Sequence, residues 1–235
     1  SCKEHFDWVY ADPDRRTADG KRVVRLEDCS PDMVALYPAL GRITERVAIK
    51  NSPLFDIEEA FRLFGDCTVE VLSLAGECKE VNIYIDGRGA RIVAEAVGRE
   101  RVEYAREEVV DSPCEGEFVA EEYRYLIVPD VALQKARLVQ HSLRGKADVW
   151  SNNSFGFARQ EVTGVLGRVE SIERIEKFDP KALKRELRGV GVDILVREFP
   201  MSVDQVRQRT GMRSGAERRI ALTRIKGQAF TIFLK

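Results

Sequence analysis

Histidine is nearly missing from this sequence: only His5 and His141 occur in 235 residues, far apart. Two distant imidazoles build neither a histidine metal site nor a Ser-His-Asp triad. The five cysteines, Cys2, Cys29, Cys67, Cys78 and Cys114, are odd in number and widely spaced. None forms a Cys-x-x-Cys pair, which argues against metal clusters and disulfide frameworks and for a reducing cytoplasm. No apolar run approaches the ~18–20 residues that cross a bilayer, and no signal peptide opens the chain. The Gly-x-Gly-x-x-Gly of a nucleotide-binding turn is also missing, because Gly87-Arg88-Gly89 lacks the strand-to-helix setting. There is no internal repeat and no low-complexity tract.

What is present is 44% hydrophobic and 33% charged residues, the composition of a globular protein with one large domain or two to three small ones. The net charge of −1 conceals an uneven distribution. Residues 89–130 carry eleven Asp/Glu against five Arg, whereas residues 197–235 carry nine Lys/Arg against three Asp/Glu. A basic end on a neutral chain points to a polyanionic partner, or to a well-solvated surface.

Residues 1–86 alternate strand and helix signals. Phe6 to Ala11 is an apolar run fit for a buried strand of a parallel sheet, stopped by Asp12-Pro13. A polar loop with Asp19-Gly20 follows, then Ser30 as N-cap, Pro31 as first helical position, and a helix from Met33 to Leu40 that Pro38 should close early. Arg46 to Lys50 reads as a strand, and Asp56 caps a helix whose Ile57, Ala60, Phe61 and Phe64 share a face. Cys67 to Leu74 and Val81 to Ile85 form a strand pair about a turn near Gly76. That order matches the second half of a doubly wound sheet with an antiparallel end.

Residues 87–165 read as a small α+β insert. Its strands are Ala90 to Val97 and Tyr123 to Val128, its helix runs from Ala132 to Leu143 with Asp130 as cap, and residues 151–156 are a loop. In residues 166–235, Arg168 to Ile175 is a strand. Asp179-Pro180 opens a helix to Arg188, and Asp193 to Phe199 is a strand. Ser202 and Gln205 form a capping box for Val203 to Arg209, closed by Gly211. Two last strands meet at Lys226-Gly227.

Two short motifs could carry chemistry. Asp12-Pro13-Asp14-Arg15-Arg16 puts a carboxylate at the carboxyl edge of a strand, where open α/β sheets hold ligands. The same residues also serve as a plain strand stop with two solvated arginines. Lys50-Asn51-Ser52-Pro53 follows the next strand, and Lys50 could meet a phosphate or stay in water. Cys78, between Glu77 and Lys79, reads as part of a hairpin turn, since the glutamates on either side oppose thiolate formation. Tyr123-Arg124-Tyr125 reads as ordinary strand packing.

The strand ending in Asp12-Pro13 resembles the fourth strand and Asp-Pro catalytic motif of class I S-adenosylmethionine-dependent methyltransferases. More widely, three stretches resemble a family of methyltransferase-like proteins with a THUMP-like carboxyl end. They are Phe6 to Arg16 with Lys50 to Ile57, Val128 to Ala136, and Val196 to Val203 with Gly211 to Gly215. The resemblance implies an α/β plus α+β chain. Residues 1–86 would be the carboxyl-terminal half of a Rossmann-like methyltransferase sheet, 87–165 a ferredoxin-like α+β domain and 166–235 a THUMP-like domain.

It also implies roles. Asp12 would orient the acceptor group and touch the methyl donor, Pro13 would shape the loop, and Arg15 and Arg16 would meet phosphate. Asn51, Ser52 and Pro53 stand where carbon-5 pyrimidine methyltransferases carry Cys-Asn-Pro, so a covalent cysteine mechanism is not expected. Arg207, Arg209, Arg213, Arg218, Arg219, Arg224 and Lys226 would form an RNA-binding surface, or else pair internally with the acidic middle segment. The implied cofactor is S-adenosylmethionine, held by a longer parent of which Asp12 supplies only part of the site. The implied partner is structured tRNA or rRNA, with neither membrane nor metal. The alternative function is a non-catalytic RNA-binding or interaction module with a vestigial methyltransferase half-domain.

Overall fold

The computed structural model describes residues 4–16, 20–21 and 23–235. Cys2 and Asp19 of the polar loop lie outside the described residues. The chain divides into two compact units, one running to Val110 and including Asp130–Leu138, the other comprising Asp111–Pro129 and Val139–Lys235. No helix among the described residues is long and apolar enough to cross a membrane.

The first unit holds a six-stranded sheet. Its strands are β1 (Val9–Ala11), β2 (Val47–Asn51), β3 (Thr68–Leu74), β4 (Glu77–Ile85), β5 (Arg91–Ala96) and β6 (Arg101–Ala105), in spatial order β1-β2-β4-β3-β5-β6. β1 and β2 are parallel, as are β3 and β5, and β4 lies antiparallel between β2 and β3. Burial alternates with period two: Val47, Ile49 and Asn51 on β2 and Val81, Ile83 and Ile85 on β4 are buried. Helices α1 (Met33–Leu40), α2 (Ile57–Phe64) and α3 (Val131–Lys135) complete the unit.

Local chemistry explains these elements. Asp56 accepts from Glu58 N and opens α2, which buries Ile57, Ala60 and Phe61 and ends at Gly65 with φ 64°. Phe64 instead meets Tyr37 of α1 edge-on, 5.2 Å between ring centroids. Asp32, rather than Ser30, caps α1 by accepting from Val34 N and Ala35 N. Ser30 is occupied otherwise, its backbone exchanging two hydrogen bonds with Asp14. Pro38 lies inside α1 and does not close it; the helix gives up one backbone bond there and continues to the buried Leu40.

The second unit holds an eight-stranded sheet in spatial order β12-β11-β13-β14-β10-β7-β9-β8. Its strands are β7 (Tyr125–Pro129), β8 (Asp148–Val149), β9 (Gly156–Ala158), β10 (Gly167–Lys177), β11 (Gly191–Val196), β12 (Arg213–Ser214), β13 (Arg218–Ile225) and β14 (Gln228–Leu234). Its helices are α4 (Val139–Ser142), α5 (Pro180–Leu187) and α6 (Val203–Thr210). One hydrophobic cluster joins α5 and α6 to the sheet through Leu183, Leu187, Val206, Ile220, Leu222 and Phe233. Alternate residues of the same strands, among them Ala221, Ile225 and Ile232, join a second cluster with Tyr123, Phe155 and Phe157. The caps expected at Asp179-Pro180, Ser202 with Gln205, and Gly211 are all formed, the last with φ 76°.

Residues 87–165 are shared between the two sheets. β5 pairs parallel with β3 in the first, whereas β7 pairs antiparallel with β10 in the second. The single helix expected over 132–143 is two pieces. A straight helix would point Leu133 and Leu138 about 140° apart. Arg137, at φ 57°, breaks the helix, and both leucines are fully buried. β6 was not expected, because its core-facing signal is weak. Ion pairs Arg91–Glu103 and Arg101–Glu95 tie it to β5 across the register that sets Glu95 opposite Arg101.

Candidate functional site

Two parallel strands bring the first unit's motifs to one edge. In the β1–β2 register Ala11 lies opposite Ile49, so the next residues, Asp12 and Lys50, come abreast. Lys50 Nζ donates to Asp12 Oδ2 at 3.1 Å and lies 3.8 Å from Glu80 Oε2 on β4. The hydrogen bond and the charge of Asp12 hold the Lys50 ammonium above its ordinary pKa. Both side chains remain open to water, and the pair orients the carboxylate rather than stabilising the fold.

Pro13 is buried behind Asp12. Asp14 is fixed by its backbone bridge to Ser30, and its Oδ1 accepts from Arg16 N at 3.1 Å. Arg15 is half-buried and Arg16 exposed. Asn51 ends β2 with its side chain buried, 3% exposed, and its Nδ2 donating back to Ile49 O at 3.3 Å. It is therefore turned into its own strand and not displayed at the edge. Ser52 and Pro53 form the turn after it: Ser52 Oγ accepts from Leu54 N and Ser52 O from Phe55 N. Beside this turn a hollow of ≈ 550 Å³ is lined by Val24, Arg25, Leu54, Phe55, Asp56, Glu59 and Arg62. Leu54 is 72% exposed on its wall.

Three of the described cysteines are poor thiolates. Burial pushes the thiols of Cys29 and Cys78 up, and that of Cys67 to about 12. Cys78 lies within β4 rather than in the turn, which is made by Ala75 and Gly76 at positive φ. Among the described residues no group of three or more His, Cys, Asp or Glu is gathered to hold a metal ion. What the edge offers is an oriented hydrogen-bond acceptor, Asp12, with two arginines nearby in sequence.

The Cys67 thiol has a consequence for stability. A group whose pKa is higher folded than unfolded stabilises below its unfolded pKa and loses that stabilisation as pH rises. The window runs from about 9, the ordinary thiol value, to about 12. Urea denaturation should show a loss of about 1.4 kcal/mol per pH unit from this group within that window. In Cys67→Ala the slope should be shallower by that amount; an unchanged slope would contradict the burial.

The basic residues at the carboxyl end are mostly engaged. Arg219 pairs with Asp193 and Glu170 at 2.9 and 3.1 Å, and Arg218 with Glu173 at 3.4 Å. Arg213 Nε donates to Gly189 O at 2.6 Å, with Glu217 at 3.9 Å. Arg207 is half-buried and donates to Val192 O, while Lys226 Nζ donates to Glu115 O. Arg209 is exposed, 4.0 Å from Met201 Sδ, and Arg224 is exposed without a hydrogen-bond or ion-pair partner among the described residues. The arginines of β13 thus pair chiefly with β10 and β11, outside the acidic stretch. Sequence reasoning missed the Asp12–Lys50 pair; its signal was two consecutive strands each ending in a charged residue.

Residues 167–235 match the family model described as THUMP domain-like. The chain is 26% identical over 226 residues to an uncharacterized S-adenosylmethionine-dependent methyltransferase of Mycobacterium tuberculosis, found alike in strains H37Rv and CDC 1551. That match takes in 92% of this chain and 60% of the relative, in the relative's C-terminal part. A solved structure from Porphyromonas gingivalis W83, described as a candidate methyltransferase, superimposes with TM-score 0.81 at 24% identity. It covers 97% of this chain and 59% of that one, and the likeness establishes the fold. The chain therefore spans about 60% of the length of the proteins it matches.

Proposed function

We propose that this chain is part of an S-adenosylmethionine-dependent RNA methyltransferase, comprising the acceptor side of its catalytic sheet and carboxyl-terminal elements that bind RNA. The observation that carries this is Asp12, held by Lys50 at the carboxyl edge of β1, in a chain similar over 92% of its length to proteins named as S-adenosylmethionine-dependent methyltransferases; the RNA part of the reading draws on the THUMP domain-like match of residues 167–235. Asp12 would accept a hydrogen bond from the group to be methylated and fix its approach. Pro13, buried behind it, would hold the loop, and Arg15 and Arg16 would meet the substrate's phosphates. Asn51, folded back on Ile49, supplies no nucleophile, so transfer would be direct. S-adenosylmethionine supplies the methyl group when bound.

The residues present do not make a donor site. Of the carboxylates at this edge, Asp12 is already committed to Lys50 and Glu80 lies 3.8 Å from the same ammonium, and among the described residues no glycine-rich turn opens a helix beside them. Calorimetric titration of this chain with S-adenosylmethionine should give no binding at about 100 μM, or ~−5.5 kcal/mol. Micromolar affinity would overturn the assignment of an acceptor-side portion. The second reading, a non-catalytic RNA-binding module, draws on the inward Asn51 and the paired Asp12. It predicts that the longer protein, too, fails to bind the donor.

A further inference from the structure

α5 carries a surface that the sequence motifs did not single out. Leu183 and Leu187 face the core, and at 100° per residue Lys184, Arg188, Lys181 and Arg185 fall together on the opposite side. All four are exposed, and none of the four charged side chains has an ion-pair or hydrogen-bond partner among the described residues, the Lys181 backbone N alone donating to Asp179 Oδ1. The one acid of the helix, Glu186, lies on another flank and is taken by Arg174 at 2.6 Å. Other exposed arginines are neutralised close by, among them Arg88 by Asp86, Arg106 by Glu58 and Arg159 by Glu122, and Arg224 stands as a single unpaired cation on its strand. Lys181, Lys184 and Arg185 on α5 and Arg188 at its C-cap thus gather four unpaired cations within two turns of chain.

The stripe is also held in place at its end. A Cβ on Gly211 would lie 3.1 Å from Arg188 Cγ, so the Arg188 stem rests on the terminus of α6. Gly189 N donates to Gly211 O, and Arg213 Nε donates to Gly189 O, which brings Arg213 to the same corner. Lys181 to Arg188 spans about 10 Å along the helix axis, and Arg213 extends the row. A row of cations of this length suits successive phosphates of a nucleic-acid backbone and offers no device for reading bases.

We infer that the outer face of α5, with Arg213, is the phosphate-contacting surface of this chain for folded RNA. The inference rests on the RNA-binding part of the proposed function. It moves the contact away from Arg218 and Arg219 of β13, whose guanidinium groups are spent on Glu173, Glu170 and Asp193.

The test is fluorescence anisotropy with a labelled hairpin RNA, titrated with the whole chain between 50 and 200 mM salt. The variant K181Q/K184Q/R185Q/R188Q keeps good helix formers in α5, and circular dichroism confirms its fold. It should bind at least tenfold more weakly, with the slope of log affinity against log salt reduced by about 3. R218Q/R219Q should stay within about threefold of the parent, since those side chains meet no phosphate. An α5 variant that keeps affinity and slope overturns the inference and leaves RNA binding standing. No binding by the unaltered chain at tens of micromolar overturns both. Equal or tighter binding of the matching duplex DNA overturns the assignment to RNA.

Discussion

Asp12→Ala, placed in the longer protein to which we assign this chain, is expected to lower methyl transfer about 100-fold while changing donor affinity by less than about threefold. The carboxylate stands at the carboxyl edge of β1 with Lys50 as its only ion-pair partner among the described residues, 3.1 Å away. Removing it leaves the acceptor group without an orienting hydrogen bond and leaves Lys50 with only Glu80, at 3.8 Å. Misplacement of a reacting atom by an ångström costs on the order of 100-fold in rate. On the proposed function, donor affinity would depend on groups outside this edge. Asp12→Asn keeps the shape and a hydrogen-bonding carbonyl, and should recover part of the rate. Equal losses of rate and donor affinity on Asp12→Ala would place the residue on the donor instead.

The second large effect is on stability. Phe157 is 1% exposed and packs against Phe118, Tyr123 and Trp150, with ring centroids 5.0, 5.5 and 5.9 Å away. Two of the three contacts are edge-on, a geometry that adds to simple burial. Phe157→Ala should destabilise the second unit by about 3–5 kcal/mol, because the strands and polar ties around the ring limit collapse into the cavity. Those ties include Tyr123 Oη donating to Asp148 Oδ2 at 2.8 Å and Arg159 lying over the Tyr123 ring. Phe157→Leu should cost markedly less. Urea denaturation followed by circular dichroism measures both; a loss below about 1 kcal/mol for the alanine variant would contradict the packing.

Local chemistry was legible in the sequence, and long-range register was not. Asp56, Asp179-Pro180, the Ser202–Gln205 box and Gly211 act within one turn of their own helices, so residue type and spacing sufficed. The αL break at Arg137 was hidden because Arg is an ordinary helix former; only the burial of both Leu133 and Leu138 requires it. β6 depends on charges opposite it on β5, and β8 and β9 are too short to show a period. The basic carboxyl end was visible as composition, but composition does not say which arginines are paired. Arg219 reaches Glu170, 49 residues away, across the sheet. The α5 stripe went unread for the opposite reason: its cations are dispersed among leucines and become a surface only on the folded helix. At the candidate site, the Asp-Pro strand stop was legible, while the Lys50 partner and the inward turn of Asn51 needed the parallel pairing of β1 and β2.

The most direct measurement is methyl transfer by the longer protein from S-adenosylmethionine carrying a labelled methyl group, offered folded RNA, duplex DNA and protein in separate reactions. Label should appear in RNA alone and fall about 100-fold on Asp12→Ala. Label in protein or DNA, or label in RNA that Asp12→Ala leaves untouched, would contradict the account.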